Sequence, residues 1–253
     1  MTDALPVDRP PAGHRPAAVL WDMDGTIVDT EAHWIAAADE IVRAHGVEPT
    51  AEQLDALVGT SLTDGAELLR SIGVDLPVPE LVERHLELAM RNTATSGLDW
   101  RPGAVELLRA LRADGIRLAL VTMSYREYAD AVIAALPDGI FEVIVTGDAV
   151  DRGKPFPDAY LRAAELLEVD VRDCVAIEDS LIGLAAARAA GAHTLGIPHH
   201  VAIPAAAADA IWPTLAGRGP RDLQVPLPQL THDARTPHGA RVPRAPRENH
   251  SVA

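Results

Sequence analysis

Asp22 and Asp24 stand two residues apart in Asp22-Met23-Asp24-Gly25-Thr26, directly after the apolar run Ala17-Ala18-Val19-Leu20-Trp21. Thr122, Met123 and Ser124 follow a second run, Leu118-Ala119-Leu120-Val121. Lys154, in Gly153-Lys154-Pro155, comes after a third, Val143-Ile144-Val145, and Glu178-Asp179 closes a fourth, Cys174-Val175-Ala176-Ile177. Three carboxylates, Asp22, Asp24 and Asp179, repel one another in a shared site unless a cation lies among them. Mg²⁺, which takes a few carboxylates together with waters and phosphate oxygens, resolves that repulsion. A hydroxyl and an ammonium are the donors a phosphoryl group requires. The set therefore suits phosphoryl transfer, a reaction that asks mainly for positioning and charge neutralisation.

The lysine carries a second signal. The chain has 21 arginines and one lysine, Lys154. Arginine serves wherever any surface cation will do, so the single ammonium marks a position that needs a compact charge.

These groups converge only if the apolar runs are neighbouring strands. Each run is short and continuous, as expected of a buried strand in a parallel sheet. Thr194-Leu195-Gly196-Ile197 is a fifth. Helical stretches separate them: Val105 to Leu111 between Pro102 and Gly115, Ala159 to Leu167, and Leu181 to Ala190, stopped by Gly191. Alternating strands and helices predict an α/β fold, and in open parallel sheets ligands bind outside the carboxyl ends of the strands. The region from Thr30 to Trp100 differs: it shows no strand-like alternation. Trp34 to His45, closed by Gly46, predicts one amphipathic helix. Leu54-Leu57-Val58, Leu68-Leu69-Ile72 and Leu81 to Met90 predict three more. An insert of this size folds as a lid hinged near 28–30 and 96–102. Residues 1–16 and 217–253 are expected to be disordered.

The four motifs, in this order and on strand ends, closely resemble those of the haloacid dehalogenase superfamily, over about residues 17–200. The resemblance implies a Rossmann-like parallel sheet flanked by helices (17–29 and 101–216) and an α-helical cap inserted after the first strand (30–100). It implies that Asp22 is the nucleophile and a Mg²⁺ ligand. Asp24 would protonate the leaving oxygen, then deprotonate water, and bind the metal through its backbone carbonyl. Thr122, Met123 and Lys154 would hold the phosphoryl oxygens. Asp179 would ligate Mg²⁺, and Glu178 would orient a water held by the metal. Thr26, His33 and Ser124 are candidate substrate contacts. For His33 the alternative is a hinge or cap-surface histidine, for Trp34 helix packing, and for Ser124 a helix cap.

Within the family, dehalogenases lack the second aspartate, which is present here as Asp24. The phosphonate-cleaving branch needs a cap lysine, and none is available. Mutases of the β-phosphoglucomutase type grip a second phosphate with a cap lysine and arginine. Leu62 stands about where that arginine would be, and Trp34 stands where they tend to have a histidine, with His33 one position earlier. The expected activity is hydrolysis of a small phosphorylated metabolite such as a sugar phosphate. A hexose phosphomutase and a catalytically idle binding protein are the alternatives.

Other readings fail on composition or spacing. Gly147 to Lys154 has the wrong glycine spacing for a P-loop, and Pro155 stands where Ser or Thr is required. Cys174 is expected to be a core residue. His199 and His200 are expected to be solvent-exposed. A net charge of −15 argues against non-specific nucleic-acid binding. A basic, Pro-bearing tail from Arg218 onward has too little apolar content to form a core. No apolar run approaches a membrane span, and the N-terminus lacks the apolar segment of a signal peptide. The expectation is a cytoplasmic monomer or weak dimer without nucleic-acid or membrane partners.

Overall fold

The computed structural model describes residues 13–57 and 60–225. In chain order the elements are β1 (Ala18–Trp21), β2 (Val28–Asp29), α1 (Glu31–Ala44), α2 (Ala51–Asp55), α3 (Leu62–Ser71), α4 (Val78–Ser96), β3 (Asp99–Trp100) and α5 (Ala104–Ala113). They continue with β4 (Arg117–Val121), α6 (Arg126–Ile133), β5 (Val143–Val145), α7 (Asp158–Leu166), β6 (Cys174–Glu178), α8 (Leu181–Ala190), β7 (His193–Gly196) and β8 (Ala210–Ile211).

Six strands form one parallel sheet in the order β5-β4-β1-β6-β7-β8. β1 is central, with Leu20 level with Ala119 on one side and Ala176 on the other. Both faces of β1 are buried, which explains its unbroken apolar sequence. Val19 and Trp21 face a cluster that includes Leu107 and Leu111 of α5 and Tyr128 of α6. Ala18 and Leu20 face the opposite cluster, built largely from alanines of α7 and α8 with Tyr160. A helix–sheet–helix sandwich results, and it holds the ends of β1, β4 and β6 side by side. Each fully buried Leu or Val contributes about 1.5–3 kcal/mol.

The cap is helical: α1 packs against α4, and α4 against α3. Gly46, in the left-handed region at φ 76°, ends the turn after α1. α2 starts with a capping box between Thr50 and Gln53. The cap joins the core through the antiparallel pair β2–β3, Val28 opposite Trp100.

Several expectations need correction. The region before Trp100 does contain strand, the two-residue β3, too short to show alternation. β8 was not foreseen for the same reason. Residues 217–225 are not disordered: Leu223 and Val225 are buried, and a short 3₁₀ turn spans Pro220–Asp222. Val225 also pairs with His14, so the chain preceding Ala17 is partly ordered too. Two apolar residues sufficed to pin a segment whose average composition is polar. Val58 of the expected second helix, residues 1–12 and residues 226–253 lie outside the described residues.

Candidate active site

The carboxyl end of β1 turns sharply at Gly25, whose φ of 80° suits glycine. The turn also brings Gly25 against Asp179: a side-chain Cβ there would lie 2.0 Å from Asp179 Oδ2. Only glycine lets the two motif loops approach so closely.

Asp22 is buried and bound on both oxygens. Lys154 Nζ donates to Oδ1 at 2.7 Å, and Thr26 Oγ1 donates to Oδ2 at 2.9 Å. Lys154 Nζ also reaches the Val121 carbonyl at 2.9 Å and Glu178 Oε1 at 2.6 Å. Three acceptors from three adjacent strand ends thus surround one ammonium, which fits a point charge with three donors. Glu178 is fully buried, and its carboxylate also accepts from Tyr160 Oη at 2.6 Å and Ser180 Oγ at 3.1 Å. Gly183 leaves the space for it, since a Cβ there would sit 1.9 Å from Glu178 Oε1.

Asp24 is held by hydroxyls. It accepts from Thr122 Oγ1 at 3.0 Å, Ser124 Oγ at 2.8 Å and Thr30 Oγ1. Thr30 is the N-cap residue of α1, yet its side chain does not cap the helix. It binds Asp24 instead, linking the start of the cap to the motif loop.

Acids outnumber cations here, and the electrostatics show it. Burial first, then Glu178, raises the Asp22 carboxyl to about 7, against the opposing effect of Lys154. Burial, Asp22 and Glu178 together raise Asp179 to about 9. One oxygen each of Asp22, Glu178 and Asp179 lies within 4.8 Å of the others. An all-oxygen set, two of its acids buried and the third partly so, that is reluctant to stay ionised fits a hard divalent cation such as Mg²⁺.

The cluster opens into a cavity of about 400 Å³ between core and cap. Of the residues singled out in the sequence, Asp22, Asp24, Met123, Ser124, Lys154 and Asp179 line it. Thr122, Thr26, His33 and Glu178 do not. Thr122 is fully buried, and its hydroxyl donates to Asp24 and accepts from the Ser124 amide. Thr26 lies beneath Asp22, with no exposed surface to offer substrate. On α1 the face toward the cavity carries Glu31, Trp34 and Ile35, the i, i+3, i+4 set. His33 falls off that face and is buried, its carbonyl accepting from Asn92. Trp34 does both things weighed for it: its ring lies edge-on to His85 and tilted on Tyr128, and it lines the cavity. Ser124 does not cap α6, whose N-cap residue is Tyr125.

His200 is exposed as expected, whereas His199 is half-buried, and both have carboxylate partners. His199 Nε2 lies 2.8 Å from Asp29 Oδ2 in β2, and His200 Nε2 lies 3.3 Å from Glu31. Arg101 Nη1 lies 2.6 Å from His199 Nδ1. A guanidinium only donates, so Nδ1 accepts and Nε2 carries the proton. That protonation leaves Nε2 no lone pair for a metal. The loop after β7 therefore ties the core to the cap hinge through histidine–carboxylate contacts.

Thr30 and Tyr160 were missed in the sequence. Tyr160 gave no signal, since a tyrosine among Ala159, Ala163 and Ala164 reads as core. Thr30 carried a weak one, a hydroxyl six residues beyond Asp24 at the start of a helix.

A parallel sheet with this insertion, and acids, hydroxyls and one lysine gathered at its strand ends, define a phosphoryl-transfer type of α/β enzyme. The model of the haloacid dehalogenase-like hydrolase family matches residues 19–197, and the chain belongs to that family. Protein CbbY of Rhodobacter capsulatus is 35% identical over 72% of this chain and 85% of its own length. Hexitol phosphatase A of Escherichia coli is 35% identical over 70% and 81%. The crystal structure of a variant of CbbY from Rhodobacter sphaeroides in complex with xylulose-(1,5)bisphosphate is 30% identical. It superposes with a TM-score of 0.72 over 81% of this chain and 97% of that one. Among the described residues, no helix is long and apolar enough to cross a membrane.

Proposed function

We propose that this chain is a Mg²⁺-dependent phosphatase that hydrolyses a small phosphomonoester through an aspartyl-phosphate on Asp22. The observation that carries the reading is the Asp22–Lys154–Glu178 cluster at the floor of a cavity that Asp24 and Asp179 also line. Similarity to hexitol phosphatase supports it. Asp22, Asp179 and the Asp24 backbone carbonyl would hold Mg²⁺, whose chemistry there is neutralisation of carboxylates and phosphoryl oxygens. Lys154 orients Asp22 for attack on phosphorus. Asp24, in its protonated form, leaves its hydroxyl partners to protonate the departing alkoxide, freeing Ser124, which lines the cavity, to donate to a phosphoryl oxygen. Asp24 then takes a proton from the water that attacks the phosphoenzyme, which releases phosphate and restores Asp22. Such acid–base help is typically worth ~10²–10⁴-fold.

Lys154→Arg is expected to lower kcat/KM by at least ~10²-fold, the scale of losing one electrostatic contact to the reacting group. A planar guanidinium cannot place a single atom among Asp22, Glu178 and Val121. An unchanged rate would mean that the lone lysine is an accident of composition.

Hydrolysis is favoured over phosphomutase action because, among the described residues, no arginine of the cap lines the cavity to meet a second phosphate. Arg70 and Arg84 pair on the surface with Glu67 at 3.3 Å and Glu87 at 2.8 Å, and Arg91 pairs with Glu40. None of the three lines the cavity, and Leu62 does. The bisphosphate ligand of CbbY is therefore not carried over to this chain. The test supplies hexose 1-phosphate with a bisphosphate primer and follows free phosphate and hexose 6-phosphate together. Free phosphate is expected to form faster, and faster isomerisation would establish a mutase. Absence of phosphate release from any phosphomonoester, with or without Mg²⁺, would indicate an idle binding protein.

A further inference from the structure

Beyond its acidic floor, the cavity changes character. Its cap side is formed largely by Trp34, Ile35, Leu57 and Leu62, with Thr60 and Ser61 between them, whose hydroxyls already donate to the Leu57 carbonyl and to Asp64, and its core side by Leu181, Ile182 and Val201. Six large apolar residues are notably exposed in the described chain, and three of them, Leu181, Ile182 and Val201, stand at this cavity, each 43–52% exposed. Apolar side chains left open to water at a concave site are what an apolar ligand covers. Among the described residues, the charged lining outside the catalytic cluster is a single acid, Glu31, with His200 3.3 Å from it. No arginine lines the cavity among the described residues, in a chain with 21 of them. His85 adds no cation. Its Nε2 faces the Trp34 carbonyl at 3.0 Å and carries the proton, and burial lowers its pKa, keeping the ring neutral.

From this lining we infer that the substrate is the monophosphate of an uncharged alcohol with an apolar face, and that bisphosphates are excluded. The inference rests on the phosphatase reading and adds the class of leaving group. One phosphate meets Lys154 and the metal ligands. A second, at the other end of a short molecule, would meet leucine, isoleucine, Glu31 and the already engaged hydroxyls of Thr60 and Ser61, and among the described residues no arginine or lysine stands there to compensate a desolvated anion.

Matched compounds isolate the charge. Hexyl phosphate and 1,6-hexanediol bisphosphate share a chain and differ in one terminal phosphate. Their kcat/KM values are measured with Mg²⁺, beside p-nitrophenyl phosphate as a general substrate, with inhibition constants where turnover is too slow. The expected preference for hexyl phosphate is at least ~10²-fold, the order by which a site discriminates against a group it leaves unpaired. Ile182→Arg, at an exposed position where the fold tolerates a long polar side chain, is expected to narrow that preference by at least ~10-fold, and Ile35→Arg provides the same test from the cap. A wild-type enzyme that handles the bisphosphate as well as hexyl phosphate, or better, while hydrolysing p-nitrophenyl phosphate, overturns this inference alone. No turnover of any compound, p-nitrophenyl phosphate included, overturns the phosphatase reading and this inference with it.

Discussion

Asp22→Asn is expected to leave the fold intact and to lower turnover by at least ~10³-fold, the scale of losing a catalytic nucleophile. The amide is close in size to the carboxylate, so packing at the end of β1 is kept. The carbonyl oxygen can still accept from Lys154 or Thr26, though the amide nitrogen cannot accept in place of the second oxygen. Stability should change little or rise, because the substitution removes one of several crowded acids. In the wild type, burial and Glu178 already push Asp22 up to about 7, so its ionised form is held at a cost. Circular dichroism and thermal melts check the fold, and steady-state phosphate release checks the rate. A variant with near-normal turnover would mean that another group attacks phosphorus.

The second large effect concerns the metal. Excess chelator should abolish activity, added Mg²⁺ should restore it, and Ca²⁺ should inhibit, because its larger and looser oxygen shell misplaces the reacting groups. Asp179→Ala should reproduce the chelated state, with a loss of at least ~10²-fold. A second readout separates loss of the metal from general damage. Mg²⁺ should raise the wild-type melting temperature by mass action and leave that of Asp179→Ala unmoved. Without metal the variant should be no less stable than the wild type, since Asp179 is an acid pushed up to about 9 by burial and by Asp22 and Glu178. Full activity in excess chelator would remove the metal from the account.

The positions of these acids were legible in the sequence because the sheet is parallel. A buried strand must be apolar throughout, so a charged residue at its end stands out and marks the face where ligands bind. Asp22 and Asp179 were found in that way, Lys154 as the single lysine of an arginine-rich chain, and the structure brings the three to one cavity. Two kinds of feature escaped. The first were elements of two residues, β3 and β8, and the stretch to Val225, where one or two buried side chains decide the structure and no period exists to read. The second were contacts between distant segments. Thr30 holding Asp24, Tyr160 holding Glu178, and His199 meeting Asp29 each join residues whose local sequence suggests packing or solvent. Of the two readings weighed for His33, the substrate contact lacks support here because one residue is about 100° of helix, and that rotation puts Trp34, not His33, on the cavity.

The geometry also explains how Glu178 holds Lys154 in place. It is fully buried, bound by Tyr160 and Ser180, and within 2.6 Å of the ammonium. Its charge keeps Lys154 protonated and fixed, which in turn fixes Asp22. The family resemblance implies that Glu178 orients a water held by the metal, and one of its oxygens also lies within 4.8 Å of oxygens of Asp22 and Asp179. The fold puts alternate residues of a strand end on opposite sides, with Asp179 facing the cavity and Glu178 facing inward against α7.

The most direct test of the central claim is to trap the covalent intermediate. Enzyme with Mg²⁺ and a rapidly cleaved phosphomonoester is acid-quenched during turnover, reduced with borohydride and digested, and the peptides are read by mass spectrometry. Borohydride converts an aspartyl-phosphate to homoserine, so the account predicts that conversion at position 22 and its absence in Asp22→Asn. Conversion at any other carboxylate would contradict it, and so would sustained turnover with Asp22 never modified.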